Sequence, residues 1–185
     1  MAIDEAGDDL RDRFRRAFRR YPAAVTVITY LDAAGHPSGM TATAVCSLSI
    51  APPSVIVCVN RDARAHAAIT QGGRFGINLL ALGQEHLATH CSRPGAEKTL
   101  QPEWISGSGG AHTPVLRGAL AHLDCTVRQH FEAYTHSVVI GEVTLVQLGP
   151  AAMPLVYAEG SYRTLDAAIE QSYEVLWDRM MSRLL

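Results

Sequence analysis

A chain of 185 residues with 48% hydrophobic and 18% charged side chains and a formal net charge of -2 can bury one sizeable core. That charge balance argues against a nucleic-acid partner, and no apolar run approaches the roughly 20 residues a membrane helix requires. The acidic opening "MAIDEAGDDL" does not read as a secretion signal, and four scattered cysteines without a CxxC pair point to reduced thiols and a cytoplasmic setting.

Residues 8–21 place Leu10, Phe14, Ala17, Phe18 and Tyr21 at helical spacing, with arginines on the other faces and Pro22 ending the pattern. "AAVTVITYL" is a β-branched strand and "DAAGHPSG" a turn. Gly39 to Asn60 reads as two strands around Pro52-Pro53. "RDARAHAAIT" and "GQEHLATHC" are short helices, separated by the Gly-punctuated strand "QGGRFGINLL". A loop-rich stretch anchored by Trp104 follows. Strands return with "GALAHLDCTVRQHF", "SVVIGEVTLVQL" and "PLVYAEGSYRTL". Strands dominate and no βαβ alternation runs through the chain, so the expectation is a mainly β, antiparallel barrel rather than a doubly wound sheet. Residues 166–185 form a second unit, an amphipathic helix whose apolar face (Tyr173, Leu176, Trp177, Met180) needs a partner surface on the barrel or across a dimer.

Short motifs carry little chemistry. "SGSGGAH" has His112 where a dinucleotide fingerprint needs its third glycine, and it neither follows a strand nor opens a helix. His86 and His90 have zinc-compatible spacing, but "HLATH" lacks the usual general base and a third ligand, so no metal is expected. No GxSxG elbow is present. The stretch "GMTATAVCSLSIAPPSVIVCVN" is different. It is small, hydroxyl-rich and uncharged, which suits close approach of backbone to a flat ligand, although a tightly packed strand would look similar.

Together with "FRRAFRRYPAAVTVITYL" before it, and "GGRFGINLLALGQEHLATHCS", "TPVLRGALAHLDCTV", "HSVVIGEV" and "PLVYAEGSYRTL" after it, this stretch resembles the flavin reductase-like family over residues 13–165. Proteins of that family are the small reductase components of two-component flavin-dependent monooxygenases. The resemblance implies an FMN-binding split β-barrel over residues 1–165, a homodimer with flavin near its interface, and reduction of FMN or FAD by NADH or NADPH. It places Thr41, Ala42, Thr43, Ala44 and Ser47 along the isoalloxazine and ribityl chain. Asn60, Arg64 and His66 would stand near the phosphate, with Phe75 and Asn78 nearby, and Ser92 and Arg93 on a loop approaching the flavin. His136 would stand by the nicotinamide as the catalytic residue, with Tyr162 and Arg163 reaching the same site. Three departures from the family pattern are visible: Ala65 replaces a hydroxyl residue before His66, Thr135 replaces an aspartate before His136, and the tail is longer. A flavin-binding barrel without reductase activity, and an interaction barrel without flavin, are the alternatives.

Overall fold

The computed structural model describes residues 10–93, 97–107 and 110–165. The tail helix expected over 166–185 lies outside the described residues. The chain forms α1 (Leu10–Arg19), β1 (Ala23–Ala24), β2 (Thr26–Leu31), β3 (Pro37–Ala42), β4 (Val45–Ile50) and β5 (Pro53–Asn60). Then come α2 (Arg64–Gly72), β6 (Arg74–Leu79), α3 (Glu85–Ser92), β7 (Ala121–Ala133), β8 (His136–Leu148), β9 (Val156–Ala158) and β10 (Ser161–Arg163).

Seven strands make one antiparallel sheet in the order β3-β2-β6-β7-β8-β5-β4. Its two edge strands, β3 and β4, are consecutive in the chain and joined only by Thr43 and Ala44. A flat sheet of seven strands would separate its edges by about 29 Å, at ~4.8 Å per spacing. The three steps from Ala42 to Val45 reach at most about 11 Å. The sheet must therefore curl until its edges approach at Thr43–Ala44, which is the geometry of a split barrel. Register shifts between β7 and β8, one skipping Thr144 on β8 and one skipping Arg128 on β7, supply the local bends that let the long hairpin coil.

This closure corrects the sequence reading of Gly39–Asn60. Those residues take part in three strands, not two, because the strip must leave one sheet edge and join the other. Likewise β3 starts at Pro37, inside the expected turn. "PLVYAEGSYRTL" folds as a hairpin, β9–β10, that pairs with β1.

Inside the barrel, Ile28, Tyr30, Val57, Val59, Phe75, Ile77 and Val139 pack together, and α2 stoppers one end with Ala65 and Ile69. A second core of Val27, Leu80, Leu87, Ala88, Cys91 and Leu116 lies outside the barrel under α3, with Trp104 against it. The edges of the Trp104 ring and those of His86 and His90 meet at centroid distances of 6.1 and 5.0 Å, so these histidines line up on an aromatic anchor. Among the described residues no group of His, Cys, Asp and Glu is arranged to hold a metal ion. No helix of the described residues is long and apolar enough to cross a membrane.

Candidate functional site

The strip between the two sheet edges is the centre of the site. Ala42 is buried and its carbonyl accepts a hydrogen bond from Thr26 Oγ1 at 2.7 Å, which ends β3 firmly. Thr43 and Ala44 then fall outside both ladders and are exposed, as is Ser47 on β4. Cys58 N–H reaches the Ala44 carbonyl at 3.0 Å, so the strip is tied to β5 as well.

Helix α3 packs directly on the β3 backbone. At Gly39 a Cβ would lie 2.7 Å from Cys91 Sγ and 3.0 Å from Val27 Cγ1, so only glycine permits that approach. Thr41 Oγ1 donates to the Ala88 carbonyl at 2.6 Å and fixes the helix along the strand. Burial pushes the Cys91 thiol up to about 12, which makes it packing material rather than a nucleophile. This docking brings Ser92, at the end of α3, beside Thr41–Thr43.

A cleft of about 290 Å³ results, lined by Thr41, Ala42, Thr43, Ser92, Lys98, Tyr157 and Tyr162 among others. Tyr157 and Tyr162 are register partners on β9 and β10, their rings edge-on at 5.5 Å. Across Thr43 lies a second hollow of about 320 Å³, bounded by Thr43, Cys46, Ser47, Tyr21 and the start of β1. Thr43 is common to both, so the strip is open on two sides.

Lys98 and Tyr157 were not picked out from sequence. The signal for Lys98 was available, because it is the single lysine of a chain with 16 basic residues. Residues 97–100 run along the free edge of β3. Gly39 N–H donates to the Lys98 carbonyl at 3.0 Å and Leu100 N–H to the Pro37 carbonyl at 2.8 Å. The ammonium of Lys98 is pushed below the usual lysine range, first by burial and further by the nearby Arg64 guanidinium, while Cys91 opposes the shift. Arg64 itself opens α2 and faces the same side of Lys98.

The remaining expected residues fall elsewhere. Asn60 and His136 are register partners at the ends of β5 and β8, both exposed. Asn60 Oδ1 accepts from Asp62 N–H at 2.9 Å, and His136 Nδ1 lies 2.9 Å from Thr135 Oγ1. His66 Nε2 is 2.8 Å from the buried Ser137 Oγ and is turned toward β8. Arg93 and Arg163 are exposed outside the clefts, Arg163 Nε reaching the Ala158 carbonyl at 3.4 Å. None of these lines either hollow beside Thr43.

Phe75 and Asn78 lie in the interior of the fold. Phe75 is fully buried in the barrel core. Asn78 is equally buried, and its amide is consumed by the fold: Oδ1 accepts from Leu116 N–H at 2.8 Å, and Nδ2 donates to Thr29 Oγ1 at 3.1 Å. Both side chains shape the scaffold.

A half-open antiparallel barrel with a small-residue strip at its closure makes this a split-barrel protein. Comparison with known proteins agrees. The family model described as "Flavin reductase like domain" matches residues 18–166, and the chain belongs to that family. It is similar to an NADH-dependent FAD reductase of Streptomyces globisporus, with 34% identity over 161 residues covering 84% of this chain and 87% of that protein. It is also similar to the FMN reductase (NADH) RutF 2 of Methylorubrum extorquens, with 38% identity over 154 residues covering 82% of this chain and 88% of that one. Among solved structures, the styrene monooxygenase flavin reductase of Pseudomonas putida S12 superposes with a TM-score of 0.75 at 28% identity, covering 83% of this chain and 97% of that chain.

Proposed function

We propose that this protein is a flavin reductase that uses NADH or NADPH to reduce FMN or FAD and passes the reduced flavin to a partner monooxygenase. The observation that carries the reading is the Thr43–Ser47 strip, open on both sides at the closure of the barrel, with the cations Lys98 and Arg64 beyond one end. The named activities of the relatives support it. Bound together, the nicotinamide and the flavin supply the hydride donor and acceptor, so no protein nucleophile is required.

The residues present fit such a group. Small side chains at Ala42, Thr43 and Ala44 leave room for a flat ring against the backbone, and the hydroxyls of Thr43 and Ser47 can bond a polyol. Lys98 and Arg64 can hold a phosphate, Lys98 as a point charge and Arg64 as a planar fork. Tyr157 and Tyr162 wall the cleft against water. His136 orients the nicotinamide or supplies a proton. It stands two register positions along β5 from the Cys58–Ala44 contact, at the same end of the barrel as the strip.

Leu48 and Ile50 on β4 are 48% and 60% exposed, and α1 turns Leu10, Phe14 and Phe18 to solvent. We assign these faces to a second copy of the chain, so that a homodimer covers the strip and completes the site. We take residues 1–165 as the reductase domain and 166–185 as an extension to it. The test is steady-state oxidation of NADH at varied added FMN and FAD. Oxidation that saturates with flavin is expected. A protein that binds flavin yet shows no flavin-dependent turnover would instead be a flavin carrier.

A further inference from the structure

The β7–β8 hairpin turns through Tyr134 and Thr135, between the register partners Ala133 and His136. Tyr134 has a φ of 55°, and Thr135 does not share the positive sign. A hairpin turn with positive φ at its first central position alone takes glycine there, because an L side chain crowds the following carbonyl in that region. Among the described residues only Tyr134 and Glu159 hold a positive φ without being glycine. An aromatic ring is the bulkier burden of the two, and packing does not offset it: Tyr134 is 99% exposed.

Neighbouring groups hold the turn in this shape. Arg61, on the loop between β5 and α2, donates its N–H to the Thr135 carbonyl at 3.0 Å, and its Nη1 lies 3.5 Å from the Tyr134 carbonyl. The same guanidinium pairs through Nη2 with Glu132 at 3.1 Å. Thr135 Oγ1 lies 2.9 Å from His136 Nδ1. These contacts fix the backbone of the turn, and none of them engages the tyrosine ring. A strained conformation fixed from outside, presenting a large side chain to solvent, is the pattern found where strain serves a ligand. The place is also right. His136 pairs with Asn60, two residues past Cys58, whose N–H meets the Ala44 carbonyl. At ~3.4 Å per residue, the turn begins about 7 Å beyond the strip along the strand direction.

We propose that Tyr134 is a substrate-binding residue whose ring stacks on the nicotinamide base of the reductant, beside His136. A flat base needs a rigid flat partner, and an aromatic side chain with only two torsions supplies one at low entropic cost. The proposal rests on the flavin reductase reading above, in which His136 meets the nicotinamide at this end of the barrel. Glycine at position 134 would relax the backbone and remove the stacking partner together. Stability and NADH binding should therefore move in opposite directions, which a purely structural turn residue would not produce.

The test is Tyr134→Gly in the full chain, with Tyr134→Phe as the variant that keeps the ring. Tyr134→Asn, which also accepts the left-handed region without a ring, repeats the test should the glycine variant not fold. Thermal unfolding, flavin affinity by fluorescence titration, and KM for NADH and for reduced nicotinamide mononucleotide are read on each. The glycine variant should unfold at or above the wild-type midpoint and bind FMN within about twofold of wild type. Its KM should rise about tenfold for NADH and for the mononucleotide alike, the size of one lost base–aromatic stack, while Tyr134→Phe stays within about twofold. An unchanged KM in an active, folded Tyr134→Gly protein overturns the proposal. So does a rise for NADH but not for the mononucleotide, which would put the adenine against the ring. A lowered midpoint overturns it too, because the ring would then be packing material in the assembled protein. A wild-type protein that does not oxidise NADH with added flavin overturns the reading beneath, whatever the variants do.

Discussion

His122 and Asn78 sit opposite each other on β7 and β6, with Nδ1 and Oδ1 3.1 Å apart in the interior. Asn78 Oδ1 can only accept, so His122 Nδ1 carries the proton. Thr113 closes the cluster, its Oγ1 donating to Asp124 Oδ1 at 2.6 Å, while Thr29 Oγ1 donates to the Pro114 carbonyl at 2.7 Å. The result pins the 112–117 loop over the sheet.

Burial pushes the His122 imidazole below its ordinary value of 6.5, with Asp124 pulling weakly the other way. The unfolded chain therefore binds a proton at His122 more readily than the folded one. Linkage then requires this site's contribution to be complete above about pH 6.5, and to fall away as pH drops from there toward the lower folded value. Thermal unfolding followed between pH 8 and 5 should show that decline. His122→Gln should flatten it, and an unchanged slope would remove His122 from the cause.

Gly76 adds a steric test of the same cluster. A Cβ there would lie 2.5 Å from Thr113 Oγ1, 2.5 Å from Thr29 Oγ1 and 2.6 Å from His122 Cε1. Each of those groups is held by its own hydrogen bonds, so none can yield cheaply. Gly76→Ala should cost about 1–3 kcal/mol in denaturant unfolding, and a variant as stable as wild type would show that the cluster is looser than its geometry.

The fold was legible where burial decides pattern. The β-branched runs became β2, β5 and β8, whereas the stripe around Phe14 formed α1 without being buried. Gly39–Asn60 was misread because no local rule marks Thr43–Ala44 as a crossing between sheet edges. That break follows from closure of the barrel, not from propensity. Of the residues expected at one site, Thr41, Ala42, Thr43, Ser92 and Tyr162 line one cleft. The burial of Asn78 was not legible, because its partners Leu116 and Thr29 come from distant parts of the chain. Lys98 was overlooked because its meaning depends on Arg64, 34 positions earlier in the chain.

If Lys98 anchors a phosphate, Lys98→Met should weaken FMN binding by about tenfold or more, in line with the ~1.5–3 kcal/mol of a charged hydrogen bond. Riboflavin, which has no phosphate, should bind both proteins alike. Equal losses for FMN and riboflavin would show a collapsed cleft instead of a lost charge.

Among the described residues the exposed His136 side chain is bonded to Thr135, so His136→Ala should leave the fold intact. The expected outcome is a raised KM for NADH, or slower reduction of flavin in stopped flow, with flavin affinity unchanged. Reduction with wild-type rate and saturation would leave His136 without a part in the reaction.

Ala44 gives the most direct test of the strip. It is exposed and belongs to neither sheet ladder, and its carbonyl accepts the Cys58 N–H whatever the side chain. Because Ala44 is exposed, Ala44→Phe should change stability by no more than about 0.5 kcal/mol. It would, however, place a ring against the face assigned to the isoalloxazine. FMN and riboflavin should therefore lose affinity together, by about tenfold or more, in contrast to the phosphate-dependent loss expected at Lys98. The comparison separates the two ends of the site with one pair of ligands. A folded Ala44→Phe protein that bound both flavins as tightly as wild type would mean that the ring lies elsewhere, and the strip would revert to a closure between two sheet edges.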